Sequence, residues 1–131
     1  MTDIIYLTSP QVSNEALNAL FDAAWKGHQH RDFQPILQRS LTYMCAYSEE
    51  VLVGFVNVAW DGGVHAFLLD TTVHRDFQRQ GIGQQLVQEA IREARRQGCH
   101  WLHVDFEPHL ESFYRACGFQ DTRAGLIQLQ R

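Results

Sequence analysis

The feature that most constrains this chain is a change of period at Gln78-Arg79-Gln80-Gly81-Ile82-Gly83. Before it, His65 to Val73 reads as a strand. After it, Gly83, Leu86, Val87, Ala90, Ile91 and Ala94 recur at helical spacing, with Glu89, Arg92, Glu93 and Arg96 on the opposite face and Gly98 as the stop. A strand, a short loop with two glycines and a helix start together describe an anion site. Glycine lets the backbone approach a ligand closely, and the helix N-terminus adds partial positive charge. Arg75 and Arg79 contribute more, so a pyrophosphate would fit.

Two phosphate-binding readings can be tested against the letters. A Walker loop needs Gly-Lys-Ser/Thr at the helix start, but Gly83 is followed by Gln84-Gln85. A dinucleotide fingerprint needs a third small residue where Leu86 stands. A bare Gly-x-Gly is also compatible with a plain helix-entry turn in which glycine only serves packing.

The rest of the chain alternates strands and helices. Ile4 to Leu7 is an opening strand; Ser13 caps a helix with Leu17, Leu20, Phe21 and Ala24 on one face, closing near Trp25 and Gly27. Lys26 to Arg39 is a polar loop with a short helix after Pro35. Leu41 to Tyr47 and Val51 to Trp60 are strands joined at Ser48-Glu49-Glu50, and Asp61-Gly62-Gly63 makes the next turn. His100 to Phe106 alternates as a half-buried strand. Pro108 opens a helix with the stripe Leu110, Phe113, Tyr114 and Cys117, ended by Gly118, and Phe119 to Leu129 reads as a terminal hairpin. The expected fold is α/β: one domain over residues 1–131 with a mixed, mostly antiparallel central sheet flanked by helices.

The glycine loop gains meaning from its neighbours. Gln78-x-x-Gly81-x-Gly83 resembles the glutamine-or-arginine, x, x, glycine, x, glycine-or-alanine loop of the GNAT acyl-CoA N-acetyltransferases. It follows the strand end Thr71-Thr72-Val73, and about 30 residues later comes Phe113-Tyr114-Arg115-Ala116-Cys117-Gly118-Phe119, similar to that family's Tyr-x-x-x-Gly-Phe helix end. The resemblance is strongest from Val51 to Phe119. It implies that backbone N–H groups of Gln78, Arg79, Gln80, Gly81, Ile82, Gly83 and Gln84 cradle the coenzyme A pyrophosphate. It also implies that the strand ending at Val73 splays from its neighbour, leaving backbone groups of Thr71 and Val73 for the pantetheine arm. The Thr71 N–H would polarise the thioester carbonyl and hold the oxyanion. Tyr114 aligns with the family's frequent general acid, a phenol well matched to a departing thiolate. In many members an asparagine stands seven residues before this tyrosine; here the position is Glu107.

An amine acceptor must lose a proton before it attacks. Asp70 is the leading base or substrate anchor, because a charged residue amid Phe67-Leu68-Leu69 needs a partner or a task; a local backbone bond or an arginine would also satisfy it. Asp105 and His103 come second and Glu107 third. Tyr114, on an apolar stripe, has a packing reading beside the acid one. The histidine pairs His28-x-His30 and His100-x-x-His103 match no zinc pattern, no His-Glu-x-x-His occurs, and no metal is expected. His28, His30, Arg31 and Asp32 line a mobile substrate loop or simply face water, while Trp25 and Trp60 could wall an acceptor pocket or pack in the core.

The expected activity is transfer of the acetyl group of acetyl-CoA, as co-substrate, directly to a primary amine of a small acceptor. The alternative is a non-catalytic acyl-CoA-binding sensor or interaction module on the same fold. Eleven Lys and Arg against fifteen Asp and Glu give a net charge of −4, which argues against a nucleic-acid partner. No apolar run approaches the about 20 residues that span a bilayer, so no membrane partner is expected. The opening Met1-Thr2-Asp3-Ile4-Ile5-Tyr6 has no basic stretch before an apolar one, as a secretory leader would. With Cys45, Cys99 and Cys117 at scattered spacing, reduced thiols and a cytoplasmic location are expected. An open sheet also has an edge through which a homodimer can form.

Overall fold

The structure is a computed structural model and describes residues 3–130; Met1 and Thr2 of the opening segment lie outside the described residues. Five strands follow the chain in spatial order: β1 (Ile4–Thr8), β2 (Thr42–Ser48), β3 (Val51–Trp60), β4 (His65–Val73) and β5 (Trp101–His103). The first four form an antiparallel meander. β5 lies parallel to β4, because the connection between them is a helical crossover rather than a hairpin. The helices are α1 (Asn14–Ala24), α2 (Gln34–Arg39), α3 (Ile82–Arg96) and α4 (Glu111–Ala116), with 3-10 turns at Arg75–Phe77 and Pro108–Leu110.

Each face of the sheet carries its own core. One gathers Val53, Val56 and Leu68 under Leu86, Val87 and Ala90 of α3, with Tyr114 and Cys117 from the α4 end. The other packs Leu17, Leu20 and Phe21 of α1 with Phe33 against Cys45 and Phe55. β3 is covered on both sides, so Leu52 to Val58 is one continuous buried run, as a central strand requires. α3 crosses β3 at Gly54. A Cβ there would stand 2.8 Å from Leu86 Cδ1 and 3.2 Å from Ala46 Cβ and Ile82 Cγ2, so any larger residue would force the Leu86 side chain to move and crowd this contact.

The local signals act as their chemistry demands. The Ser13 hydroxyl accepts the Ala16 N–H at 3.1 Å and starts α1. Asp61 Oδ1 accepts the Gly63 N–H at 2.7 Å, which fixes the β3–β4 turn and holds the Asp61 carboxyl below the usual range.

Two expected elements differ from the sequence reading. The strand expected over His100 to Phe106 is reduced to Trp101–His103. Val104 and Phe106 still turn inward, but β4 has diverged and offers them no ladder. The terminal hairpin over Phe119 to Leu129 is absent: the segment has no regular structure, and Leu126, Ile127 and Leu129 are 84–93% exposed. A two-stranded ribbon without a third strand or a covering helix is marginal. Among the described residues, no helix is long and apolar enough to cross a membrane.

Candidate active site

The site begins with an irregularity in β4. Its ladder with β3 pairs Leu69 with Asn57 and then Thr72 with Phe55, so Asp70 and Thr71 together oppose the single residue Val56. On the other side, pairing with β5 stops at Phe67 and His103. Asp70 and Thr71 therefore belong to no ladder, and β4 splays as expected. Asp70 has φ 60°, a left-handed conformation that costs a non-glycine residue about 1 kcal/mol or more. Thr72 braces the bend: its hydroxyl donates to the Asp70 carbonyl at 2.9 Å and accepts Trp25 Nε1–H at 3.1 Å.

Asp70 opens into a cleft of about 530 Å³ lined by Phe21, Trp25, His28, Gln29, His30 and Arg31. The far wall is the segment between α1 and α2, and it is built rather than loose. Asn18, buried on α1, accepts the Arg31 N–H and donates to the Arg31 carbonyl, while its Oδ1 also meets His28 Nε2 at 2.9 Å. His30 Nε2 lies 2.6 Å from Asp22 Oδ2. Asp32, grouped with the substrate residues from sequence, instead joins Asn14 and the Gln34 N–H, and the Asn14 side chain foremost keeps its carboxyl below the usual range. Across the cleft, Arg31 Nη2 stands 3.8 Å from Asp70 Oδ2.

The glycine loop follows the end of β4 and its 3-10 turn. Gly81 is the N-cap of α3 with φ 84°, and Arg79 is also left-handed at φ 64°. The first N–H donating back into α3 is that of Gln85, to the Gly81 carbonyl at 3.0 Å. Those of Ile82, Gly83 and Gln84 precede the helical ladder and can meet an anion. A Cβ on Gly81 would find nothing within 4 Å, so the backbone faces open space. Gln78 Nε2 donates to the Val73 carbonyl at 3.0 Å and ties the loop to the end of β4. A Cβ on Gly83 would stand 3.3 Å from the Phe113 ring, so this glycine also admits α4. These residues fit a pyrophosphate: open backbone donors, a helix start and a base held at fixed distance from the strand.

Tyr114 reaches the same bend from the other face. Its ring stacks on Phe106 at 4.8 Å and meets Phe113 and Phe119 edge-on. Burial foremost raises its pKa above the usual phenol value; the nearby Thr71 side chain opposes that, and Cys117 and Asp105 add to the rise. The packing and acid readings are thus compatible, since the aromatic box holds a protonated hydroxyl beside Thr71.

Other candidates lie apart from the cleft walls. His103 Nε2 is 2.9 Å from His65 Nδ1 on the open face of β4 and β5. Asp105 is exposed, and Glu107 immediately precedes the 3-10 turn before α4 without a side-chain bond to it. Trp25 lines the cleft, whereas Trp60 ends β3 at the far side of the sheet, paired with Ala66. Sequence reasoning missed Asn18 and Gln29. The available signal for Asn18 was an amide on the apolar face of α1, beside Leu17.

The model of the acetyltransferase (GNAT) family matches residues 11–119. A curated relative, the uncharacterized N-acetyltransferase ycf52 of Porphyra purpurea, is 35% identical over 68 residues, covering 52% of this chain and 39% of that protein. The chain thus aligns with well under two thirds of that relative. Among solved structures, a GNAT family acetyltransferase, SP0256 from Streptococcus pneumoniae TIGR4, superposes with TM-score 0.81 at 26% identity over 98% of this chain and 99% of that one. AAC(6')-Iy in complex with the bisubstrate analogue CoA-S-monomethyl-acetylneamine shares the fold, with TM-score 0.79 at 22% identity over 99% of each chain.

Proposed function

This chain belongs to the acetyltransferase (GNAT) family, and from that premise we propose that it transfers the acetyl group of acetyl-CoA directly to a primary amine of a small acceptor. The observation that carries the reading is the convergence of three groups on one bend of β4: Asp70 toward the cleft, Thr71 off the ladder, and Tyr114 beside Thr71.

Acetyl-CoA, when bound, supplies a thioester whose carbonyl carbon accepts the amine. The chain provides the rest. Gln78 to Gln84, with Gly81 and Gly83 at their centre, hold the pyrophosphate, and the Thr71 and Val73 backbone holds the pantetheine arm. Asp70 takes a proton from the incoming ammonium, freeing the lone pair that forms the new C–N bond. The Thr71 N–H stabilises the oxyanion. As the C–S bond breaks, Tyr114 gives its proton to the departing sulfur, and its phenolate takes up the second proton that the attacking nitrogen sheds to become an amide. A phenol whose pKa is raised by burial is protonated at neutral pH, as an acid must be.

The reading takes residues 1–131 as one acetyltransferase domain acting in the cytoplasm, where Cys45, Cys99 and Cys117 remain free thiols. The direct test is calorimetric titration with acetyl-CoA, with NADH in parallel, followed by thiol release in the presence of amines. Micromolar binding of acetyl-CoA and amine-dependent thiol release are expected. Binding without release from any amine would leave an acyl-CoA-binding module, and absence of binding at millimolar concentration would remove the reading.

A further inference from the structure

The cleft facing Asp70 holds a pair of opposite charges that do not close on each other. Arg31 Nη2 and Asp70 Oδ2 are 3.8 Å apart, whereas a formed guanidinium–carboxylate bond is about 2.7–2.9 Å. Both residues are anchored at the backbone, and Arg31 also through its guanidinium. The Arg31 backbone is clamped on both sides by Asn18, and its guanidinium lies over the Phe33 ring at 4.6 Å and near Phe21 at 5.6 Å. The Asp70 backbone is set by its left-handed conformation and by the Thr72 brace on its carbonyl, which aims the side chain into the cleft. Both keep solvent-facing surface, 45% for Arg31 and 35% for Asp70, so a ligand can reach each.

Two preorganised charges held just beyond bonding distance complement a molecule that carries its own opposite pair at similar spacing. An ammonium beside Asp70 and a carboxylate beside Arg31 would complete a four-cornered arrangement of alternating charge. The planar Arg31 fork suits a carboxylate better than any neutral group. Aromatic walls at Trp25 and Phe21 leave room for a side chain. A second ammonium in place of the carboxylate would instead meet Arg31 head-on. We propose that the acceptor is a zwitterionic amine, an α-amino acid or a compound with an amine and a carboxylate at comparable spacing, and that Arg31 selects it by binding the carboxylate. This rests on the acetyl-transfer reading above and names its substrate class.

The test compares matched pairs that share a side chain: phenylalanine with phenethylamine, and lysine with cadaverine, with phenylalaninamide as a control for amine basicity. Thiol release from acetyl-CoA gives kcat and KM for each. The expected result is a preference in kcat/KM of at least about tenfold for the carboxylated member, carried mainly by KM, because the carboxylate does not take part in bond making. Arg31→Gln should abolish that preference, bringing kcat/KM for each amino acid to within about threefold of that for its simple amine, through a rise in the amino-acid KM relative to that of the amine. Arg31 is half exposed and Asn18 grips only its backbone, so this variant keeps its fold. Equal turnover of both members of each pair, or a preference for the simple amines, overturns the proposal while acetyl transfer stands. Failure of acetyl-CoA to bind in the preceding titration removes the reading beneath it, so the two failures are distinct.

Discussion

Asn18 grips Arg31 from both sides: its Oδ1 accepts the Arg31 N–H at 3.1 Å, and its Nδ2 donates to the Arg31 carbonyl at 2.9 Å. One buried amide thus converts the polar segment between α1 and α2 into a wall of the cleft. Asn18→Ala should leave backbone groups of the segment unpaired and lower stability by about 1–3 kcal/mol. Acceptor KM should rise several-fold while acetyl-CoA affinity is unchanged, because the glycine loop lies on other elements. Chemical denaturation and acetyl-CoA titration of the variant check both halves; unchanged acceptor KM would deny the wall its role.

Asp70→Asn isolates the carboxylate from its backbone. Asparagine tolerates the left-handed conformation that Asp70 adopts at φ 60°, so the bend should persist. If Asp70 is the base, kcat should fall by about 10²–10⁴ with acetyl-CoA binding retained. An effect confined to acceptor KM would make it an anchor instead.

Tyr114→Phe keeps the stack on Phe106 and removes only the hydroxyl. Stability should change by no more than about 1 kcal/mol, while kcat falls by about 10²-fold or more and acetyl-CoA affinity holds. Wild-type kcat in this variant would assign the ring to packing alone.

Gly81 and Gly62 share φ 84° and open surroundings, but only Gly81 starts α3. Valine at either position carries similar backbone strain, of order 1–2 kcal/mol. Gly81→Val should additionally weaken coenzyme A binding at least tenfold, because its side chain projects into the space an anion would use. Gly62→Val, in the β3–β4 turn, should bind normally. Equal affinities for the two variants, measured by calorimetry, would refute the cradle.

The alkaline limit follows from groups that hold their protons in the folded state. Burial pushes the Cys45 thiol from 9.0 up to about 12, and burial also raises Tyr114 from 10.0. For a raised pKa the stabilisation is complete below the unfolded value and is lost as pH rises toward the folded one. Stability from these groups should therefore be level through pH 8, then decline from about pH 9 for Cys45 and above pH 10 for Tyr114. Cys45→Ala should show a shallower decline between pH 9 and 11 than wild type in urea titrations. An identical slope would exclude the buried thiol as its source.

Where the sequence sufficed, the determining interactions are local. The Ser13 cap, the Asp61-Gly62-Gly63 turn, the switch of period at Gly81 and the amphipathic face of α3 are each set by residues within a few positions, and each forms where it was expected. The glycine loop was legible for the same reason, since its backbone conformation follows from its own residues.

Tertiary structure decided what depends on partners distant in the chain. The end of β5 at His103 and the unpaired tail reflect strands that lack a neighbour, which alternation alone cannot reveal. The meeting of Asp70 with Arg31, of Thr71 with Tyr114 and of Thr72 with Trp25 depends on three elements packing against one bend, across separations of roughly 40 residues. A bend of this kind has no letter of its own. It arises because β4 carries one residue more than its β3 partner between the Asn57 and Phe55 rungs, and only the folded sheet can count that difference.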